Sequence, residues 1–318
     1  MQWIKLDDDS ITEDLFLQLI ELENSCGLEP YTPDMLRDCI SELDTYAWLD
    51  DNMIAGFTTL QPGTSYLGGG IYIVNLNVGA SYRRQGLGRS LLLTALAQYG
   101  HSHQGRIVTL DVAKHNFAAL ELYKKLGFYI TDLPSGNGPS DYVMVAELDR
   151  LLGTYTTERL SLRPMIPDDA AVLADILRDE LVKVTYMVPD LEPDAAHQLA
   201  LRIVSLSIDP KRYIRGIYKE EQLIGLINDV EISDGSIELG WVISPSQHNK
   251  GYATEAVSAA IDDLFARGYQ RVVAGAFAEN KASIRVMEKA GMQPLEKAEE
   301  LEYRGKVHTC VYFGRCKY

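Results

Sequence analysis

The 318-residue chain has no uninterrupted apolar run near the roughly 20 residues needed to span a bilayer, and its first residues, MQWIKLDDDS, lack the pattern of a secretory leader. Both absences lead to the expectation of a soluble, cytoplasmic protein with no membrane partner. Cysteine is scarce. Cys26, Cys39, Cys310 and Cys316 form two loose pairs without C-x-x-C spacing, which argues against a zinc site or a disulfide framework and for reduced thiols. No metal is therefore expected. Positive charge is also short: the net charge is −15, and residues 1–150 hold 10 Lys and Arg against 20 Asp and Glu, leaving 20 against 25 in the remainder. No basic stripe suited to nucleic acid is visible, so no nucleic-acid partner is expected. An acidic field suits a cationic or amine-bearing substrate, although acidic surfaces also serve solubility alone.

What the chain does have is length for two domains and an internal repeat. The segment YRRQGLGRSLLLTALAQYG, followed by RIVTLDVAKHNFAALELYKKLGF, is echoed by QHNKGYATEAVSAAIDDLFARGYQRVVAGAFAENKASIRVMEKAGM. Gly86 pairs with Gly251 at an offset of 165, and Asn116 with Asn280 and Gly127 with Gly291 at 164. Near-constant offsets across three landmarks mean one unit used twice, over residues 1–150 and 151–318. The segment LDRLLGTYTTERL is the expected linker, short enough for the two units to pack together.

Each unit reads as an α+β fold, a mixed and mostly antiparallel sheet flanked by helices. A short β run ends in Asp-rich caps before an amphipathic helix, as in IKLDDDSITEDLFLQLIELENSCG and LSLRPMIPDDAAVLADILRDEL. Hairpins are predicted at the Asp-Asn of TYAWLDDNMIAGFTTL and the Glu-Glu-Gln of RYIRGIYKEEQLIGLINDV. Then come the strands GIYIVNLNV and GSIELGWVI, a glycine turn, a long helix, another strand, a short helix and closing strands. Gly127 and Gly291 stand where helix C-caps are expected, just past Lys-bearing last turns.

A strand, a glycine-rich turn and a helix N-terminus together make an anion site, because the first helical N–H groups lack partners and the helix dipole favours negative charge there. Arg83, Arg84 and Arg89 surround Gly86 and Gly88, a basic cluster inside an acidic domain. The run RRQGLGRS has neither the G-x-x-x-x-G-K-[ST] spacing of a nucleotide-hydrolysing loop nor the G-x-G-x-x-G of a dinucleotide fold.

The stretch NLNVGASYRRQGLGRSLL, an Asn some thirty residues on, and AALELYKKLGF resemble the GNAT superfamily of acetyl-CoA-dependent N-acetyltransferases, whose signature is R/Q-x-x-G-x-G/A. Arg83, Gly86 and Gly88 fill it. The second copy resembles the Rim-type branch, the ribosomal-protein N-terminal acetyltransferases, through TERLSLRP, IELGWVI, NKGYATEA and ENKASIRVMEKAGM. His248 stands where Arg or Gln is usual, which leaves the phosphate contact of that copy less secure.

The resemblance implies that acetyl-CoA is the donor and that the N–H groups following Arg83, from Arg84, Gln85, Gly86, Leu87, Gly88 and Arg89, cradle its pyrophosphate. Lys250, Gly251, Tyr252, Ala253 and Thr254 would do the same in the second copy. It also implies that the splayed strand before each turn, Leu76, Asn77 and Val78 or Trp241, Val242 and Ile243, offers N–H to the thioester carbonyl. A thiol of pKa roughly 8.5 leaves more easily with a proton donor beside it. Tyr123, seven residues after Asn116, is the implied donor, with a core aromatic as the alternative. Asn116 and Asn280 are implied at the pantetheine arm, and each also reads as a helix cap. Met287 takes Tyr123's place in the second copy and cannot donate a proton. There the resemblance points to Ser283 as the thiol-side donor and Glu238 as the base on the amine, Glu238 being equally readable as a solvent-facing strand residue. Asn75 reads as the strand counterpart of Glu238 in the first copy. No carboxylate base is evident there, which leaves the proton to an ordered water.

His101 and His103 have no third ligand nearby in sequence, and His115 reads as a coenzyme contact or a cap. The run TDLPSGNGPSD either gates the acceptor site or joins two strands. The expectation is an N-acetyltransferase acting on a primary amine of a small molecule or peptide N-terminus, as a monomer in which the two units form a pseudo-dimer. The alternative is a non-catalytic or sensing protein that binds coenzyme A, with a degenerate C-terminal half.

Overall fold

The two predicted hairpins turn at the Asp-Asn and Glu-Glu-Gln segments. Asp51 and Asn52 take φ of 46° and 66° and Glu220 takes 55°, the left-handed values that tight antiparallel turns require. The computed structural model describes residues 1–26, 31–63, 70–103 and 105–317. It divides into two units, Met1–Gly153 and Thr154–Tyr318.

In the first unit the order is β1 (Gln2–Leu6), α1 (Glu13–Cys26), α2 (Pro33–Glu42), β2 (Asp44–Asp50), β3 (Met53–Pro62), β4 (Ile71–Val78), α3 (Leu87–Ser102), β5 (Ile107–Ala113), α4 (Phe117–Leu126), β6 (Tyr129–Ile130), β7 (Asp141–Glu147) and α5 (Leu148–Leu152). The sheet runs β1-β2-β3-β4-β5-β7-β6, and only β4 and β5 pair in parallel. The apolar stripe of α1 (Phe16, Leu19, Leu22) and Leu36 and Ile40 of α2 cover one face, packing on Leu6, Ala47, Leu49, Ile54 and Phe57. The expected linker begins as a helix. Its first five residues form α5, whose Leu148, Leu151 and Leu152 are buried, and a Cβ at Gly100 of α3 would lie 2.6 Å from Leu148 Cδ2.

The second unit repeats the plan: β8 (Tyr155–Thr156), β9 (Ser161–Arg163), α6 (Asp169–Arg178), α7 (Glu180–Tyr186), α8 (Pro193–Leu206), β10 (Ile214–Lys219), β11 (Gln222–Ser233), β12 (Ser236–Ile243), α9 (Tyr252–Ala266), β13 (Arg271–Phe277), α10 (Lys281–Lys289), β14 (Gln293–Tyr303) and β15 (Lys306–Cys316). Its sheet runs β14-β15-β13-β12-β11-β10-β9-β8, with β12 and β13 the parallel pair. Helices α6 to α8 supply the core of one face and α9 and α10 that of the other.

Both parallel pairs are short. β4 meets β5 only from Ile71 to Ile73, and β12 meets β13 only from Ser236 to Glu238, after which the strands part. Each unit also holds one β-bulge beside this opening, on different strands. Val74 of β4 is the extra residue in the first unit, and Val230 of β11 is the extra residue in the second. Among the described residues no helix is long and apolar enough to cross a membrane, and no group of three or more metal-ligating side chains converges. All four cysteines are free.

Candidate functional site

Where β4 leaves β5, the backbone from Leu76 to Val78 has a strand partner on the β3 side only. The same holds for Trp241 to Ile243 of β12. Each strand runs into a single 3-10 turn, Ala80–Tyr82 or Pro245–Gln247, and then into the glycine turn. In the first turn Arg84 and Gly86 take φ of 61° and 83°, and in the second Asn249 and Gly251 take 60° and 81°. Two copies of one backbone path are present. Glycine suits this path because a left-handed residue with a side chain is strained. Gly86 and Gly251 are N-caps without a side-chain cap, so no side chain of the cap residue covers the first N–H groups of α3 and α9.

The side chains of the two turns repeat as well. Arg83 Nε donates to Val78 O at 2.9 Å, and His248 Nε2 lies 2.8 Å from Ile243 O, the equivalent carbonyl. Gln85 Nε2 donates to Ser81 O, and Lys250 Nζ to the equivalent Ser246 O. His248 thus holds the strand end in its own turn as Arg83 does in the first. The first signature position secures the end of the strand, a task an imidazole performs as a guanidinium does. Arg83 is correspondingly not a free cation beside the glycines, since its Nη2 also points to Cys26 Sγ at 3.0 Å. Arg84 is exposed.

Turn, strand and following helix meet in the first unit. A Cβ at Gly88 would lie 3.4 Å from Val78 Cγ2 and 3.8 Å from Leu122 Cδ2 of α4. The next residue, Tyr123, is 7% exposed and packs edge-on against Phe128 at 5.5 Å. Burial pushes its phenol above the usual range, so it carries its proton at neutral pH. Among the described residues its hydroxyl has no hydrogen-bond partner. In the second unit Tyr252 and Met287 enter the core cluster, with Trp241 and Ala253 packed against it.

Asn116 and Asn280 occupy the same N-cap position with φ, ψ of −83°, 71° and −78°, 71°. Each accepts the N–H three residues on, from Ala119 and Ser283 respectively. Asn280 Nδ2 further donates to Ser283 Oγ at 3.0 Å. Ser283 is therefore held by the cap with its own hydroxyl proton still available to donate.

The TERL run of the second unit is built onto the glycine turn. Glu255, in the first turns of α9, accepts from Thr157 Oγ1 at 2.6 Å, Arg159 N at 2.9 Å and Arg159 Nε at 2.7 Å, and Arg159 Nη1 donates to Lys250 O at 3.0 Å. Glu238 is half-buried on the sheet face opposite α9 and α10. Burial raises its carboxyl, Lys297 opposes that rise, and Glu231 and Glu299 add to it. Lys297 helps line an open cavity of about 500 Å³ with Ile284, Pro294, Leu295, Val311 and Tyr312.

Two expectations need correction. Asn75 is not the counterpart of Glu238: the offset of 165 that aligns the glycine turns and the ends of β4 and β12 places Ile73 opposite Glu238 and Asn75 opposite Gly240. Asn75 instead serves the bulge, its Oδ1 accepting Thr59 N at 2.8 Å while its Nδ2 is buried without a partner. Nor does the first unit lack a carboxylate beside the opening. Glu23 of α1 is 4% exposed and accepts a hydrogen bond from Asn77 Nδ2, and burial pushes its carboxyl up to about 7 even though the Asn77 bond acts to lower it. The sequence signal was its place on the apolar stripe of α1, one turn after Leu19 and two turns after Phe16. His103 stacks on Tyr99 at the end of α3 and does not join the site.

The bare glycine turns, the parted strands and the orphaned Asn75 Nδ2 fit a phosphate-bearing ligand whose arm runs into the sheet opening. The acetyltransferase (GNAT) family model matches residues 16–128 and the acetyltransferase (GNAT) domain model matches residues 159–293. The uncharacterized N-acetyltransferase p20 of Bacillus licheniformis is 30% identical over 146 residues, 44% of this chain and 82% of that protein. The uncharacterized N-acetyltransferase YoaA of Bacillus subtilis (strain 168) is 31% identical over 144 residues, 43% of this chain and 81% of that protein. A crystal structure of a GNAT-family acetyltransferase from Bacillus anthracis aligns at 23% identity and a TM-score of 0.46, over 51% of this chain and 98% of that one.

Proposed function

The chain belongs to the GNAT acetyltransferase family, an acetyl-CoA-dependent acyltransferase, and we propose that it acetylates a primary amine of a small molecule or peptide N-terminus. The observation that carries this reading is the duplicated turn, with its paired left-handed residues, uncapped helix N-terminus and parted strand. Acetyl-CoA supplies an activated acetyl group as a thioester. The residues for holding it are the backbone N–H groups from Arg84 to Arg89 and from Lys250 to Thr254, with Asn116 and Asn280 at the pantetheine arm.

The strand segments Leu76 to Val78 and Trp241 to Ile243 orient the thioester carbonyl through main-chain N–H. Tyr123, protonated and buried, delivers a proton to the leaving sulfur in the first unit. In the second unit Ser283 holds the proton on the sulfur side and Glu238 the one on the amine side, the raised carboxyl of Glu238 bringing it nearer the range of a useful base.

A second reading is favoured by Met287, which is fully buried where the first unit has Tyr123. The second unit then binds coenzyme A without turning it over. Calorimetric titration with acetyl-CoA tests both readings. Two sites per chain are expected, one removed by Gly86→Glu and the other by Gly251→Glu, because each change forces a side chain into a left-handed residue and sets a carboxylate at a phosphate position. No heat of binding at all would sink the acetyl-CoA reading. Two sites with turnover lost wholly on Gly86→Glu would assign the second unit to binding only.

A further inference from the structure

A carboxylate on the apolar stripe of a helix needs a reason. Glu23 has no packing partner that requires a charge, and no cation answers it among the described residues. The titratable groups that face it from neighbouring elements are Tyr31, just before α2, and Cys39 of α2, both pushed up mainly by burial with the Glu23 charge adding to it. Arg37 of α2 goes to Glu13 instead, and Arg83 to Val78 and Cys26. Its one hydrogen bond comes from Asn77, which is itself 6% exposed and lies between Leu76 and Val78 in the stretch of β4 that has left β5. Asn77 pairs with Phe57, whose side chain belongs to the α1 cluster, so Asn77 and Glu23 meet on the α1 face of the opening. Among the described residues the second carboxylate oxygen has no hydrogen-bond partner. The second unit has nothing equivalent, since Val242 replaces Asn77 and sits in an apolar cluster.

We propose that Glu23 is the base of the first unit, taking a proton from the ammonium form of the acceptor amine at the sheet opening. This rests on the reading of that unit as an acetyl-transferring one. The carboxylate takes one proton from R–NH3+ and later returns it to solvent. The freed lone pair forms the C–N bond to the thioester carbonyl carbon, and the C–S bond breaks with its electron pair on sulfur. The sulfur takes the Tyr123 proton, and the phenolate recovers one from the new amide nitrogen. The sum is one amide, one thiol and one proton released. Burial supports the role, since a carboxyl near 7 is deprotonated in a useful fraction at neutral pH and still basic enough to accept a proton. Asn77 is a positioning residue that holds one oxygen and leaves the other for the amine.

The test uses the full chain, acetyl-CoA and a fixed probe set of spermidine and two tripeptides headed by serine and alanine, with thiol release followed from pH 5.5 to 8.5. First-unit turnover is the part that Gly86→Glu removes. We expect it to rise with pH and level off above about 7. Glu23→Gln should lower it roughly 10²- to 10⁴-fold and abolish the rise while acetyl-CoA still binds. Glu23→Asp should restore part of it, and Asn77→Val, which removes the donor, should move the rise to higher pH. Glu23→Gln with unchanged turnover and an unchanged pH profile overturns the proposal, as does its loss of acetyl-CoA binding, which would make Glu23 a structural residue. A wild-type chain that binds acetyl-CoA but releases no thiol with any probe overturns the catalytic reading itself, and the proposal with it.

Discussion

The two units share one backbone device and differ in the groups around it. Gly86 and Gly251, Asn116 and Asn280, and Arg83 and His248 make matching contacts, so the parts that hold the chain in place were kept. The positions proposed to handle protons diverge. The first unit has Tyr123 on α4 and Glu23 on α1, and the second has Met287 and Val242 at the sites of Tyr123 and Asn77, with Glu238 on a strand instead. The duplicated fold therefore keeps one backbone path while the side chains proposed for proton transfer differ between copies, because a main-chain path depends little on side-chain identity and a proton transfer depends on it wholly.

The largest expected effect separates the copies at their matched helix position. Tyr123→Phe removes only a hydroxyl and should lower first-unit turnover by about 10²- to 10⁴-fold with no change in acetyl-CoA affinity. Met287→Leu should leave all turnover in place and cost less than about 1.5 kcal/mol of stability. Steady-state thiol release and thermal melting read the two outcomes. An equal loss of turnover in both variants would break the comparison.

A second contrast lies in stability against pH. Glu23 has a folded value of about 7 against an ordinary 4.5. The folded first unit therefore favours the protonated acid. Its stability relative to the unfolded chain is fully kept below about pH 4.5 and declines as pH rises through 7, by about 3 kcal/mol in all. Glu23→Gln should remove that decline, so the variant should melt later than wild type at pH 8 and no later at pH 4.5. Differential scanning calorimetry at the two pH values checks this, and identical shifts at both would show that Glu23 is not perturbed. A more stable but less active variant is the signature of a residue kept for chemistry.

The smallest contrast tests likeness. His248→Ala and Arg83→Ala each free one strand-end carbonyl and should weaken acetyl-CoA binding in their own unit by about fivefold, in line with about 1 kcal/mol for a lost hydrogen bond. A much larger loss for Arg83 would mean that it also reaches the ligand and that the two positions are not equivalent.

The repeat, the hairpin turns, the glycine turns and the asparagine caps were all legible in the sequence, because each is encoded within a few residues by a turn-former, a cap or a period. The strand register was less so. Taking Asn75 as the counterpart of Glu238 missed it by two residues, since strand alternation repeats every two residues and so marks a face of the sheet but not a position along the strand. That the linker segment opens as helix α5 was not legible, because only the fit of Leu148 beside Gly100 buries the leucines of LDRLL.

By itself the sequence determined the duplicated α+β plan, the family resemblance and the paired glycine turns, since these rest on short-range patterns and on a constant offset between copies. Only the tertiary structure decided which side chains share the opening. Glu23 and Asn77 stand 54 positions apart, and Arg159 and Glu255 stand 96 apart. Such pairs depend on how a helix settles across a twisted sheet. Burial then raises the carboxyl of Glu23, an effect that requires the helix to be in place before the residue acquires its chemistry.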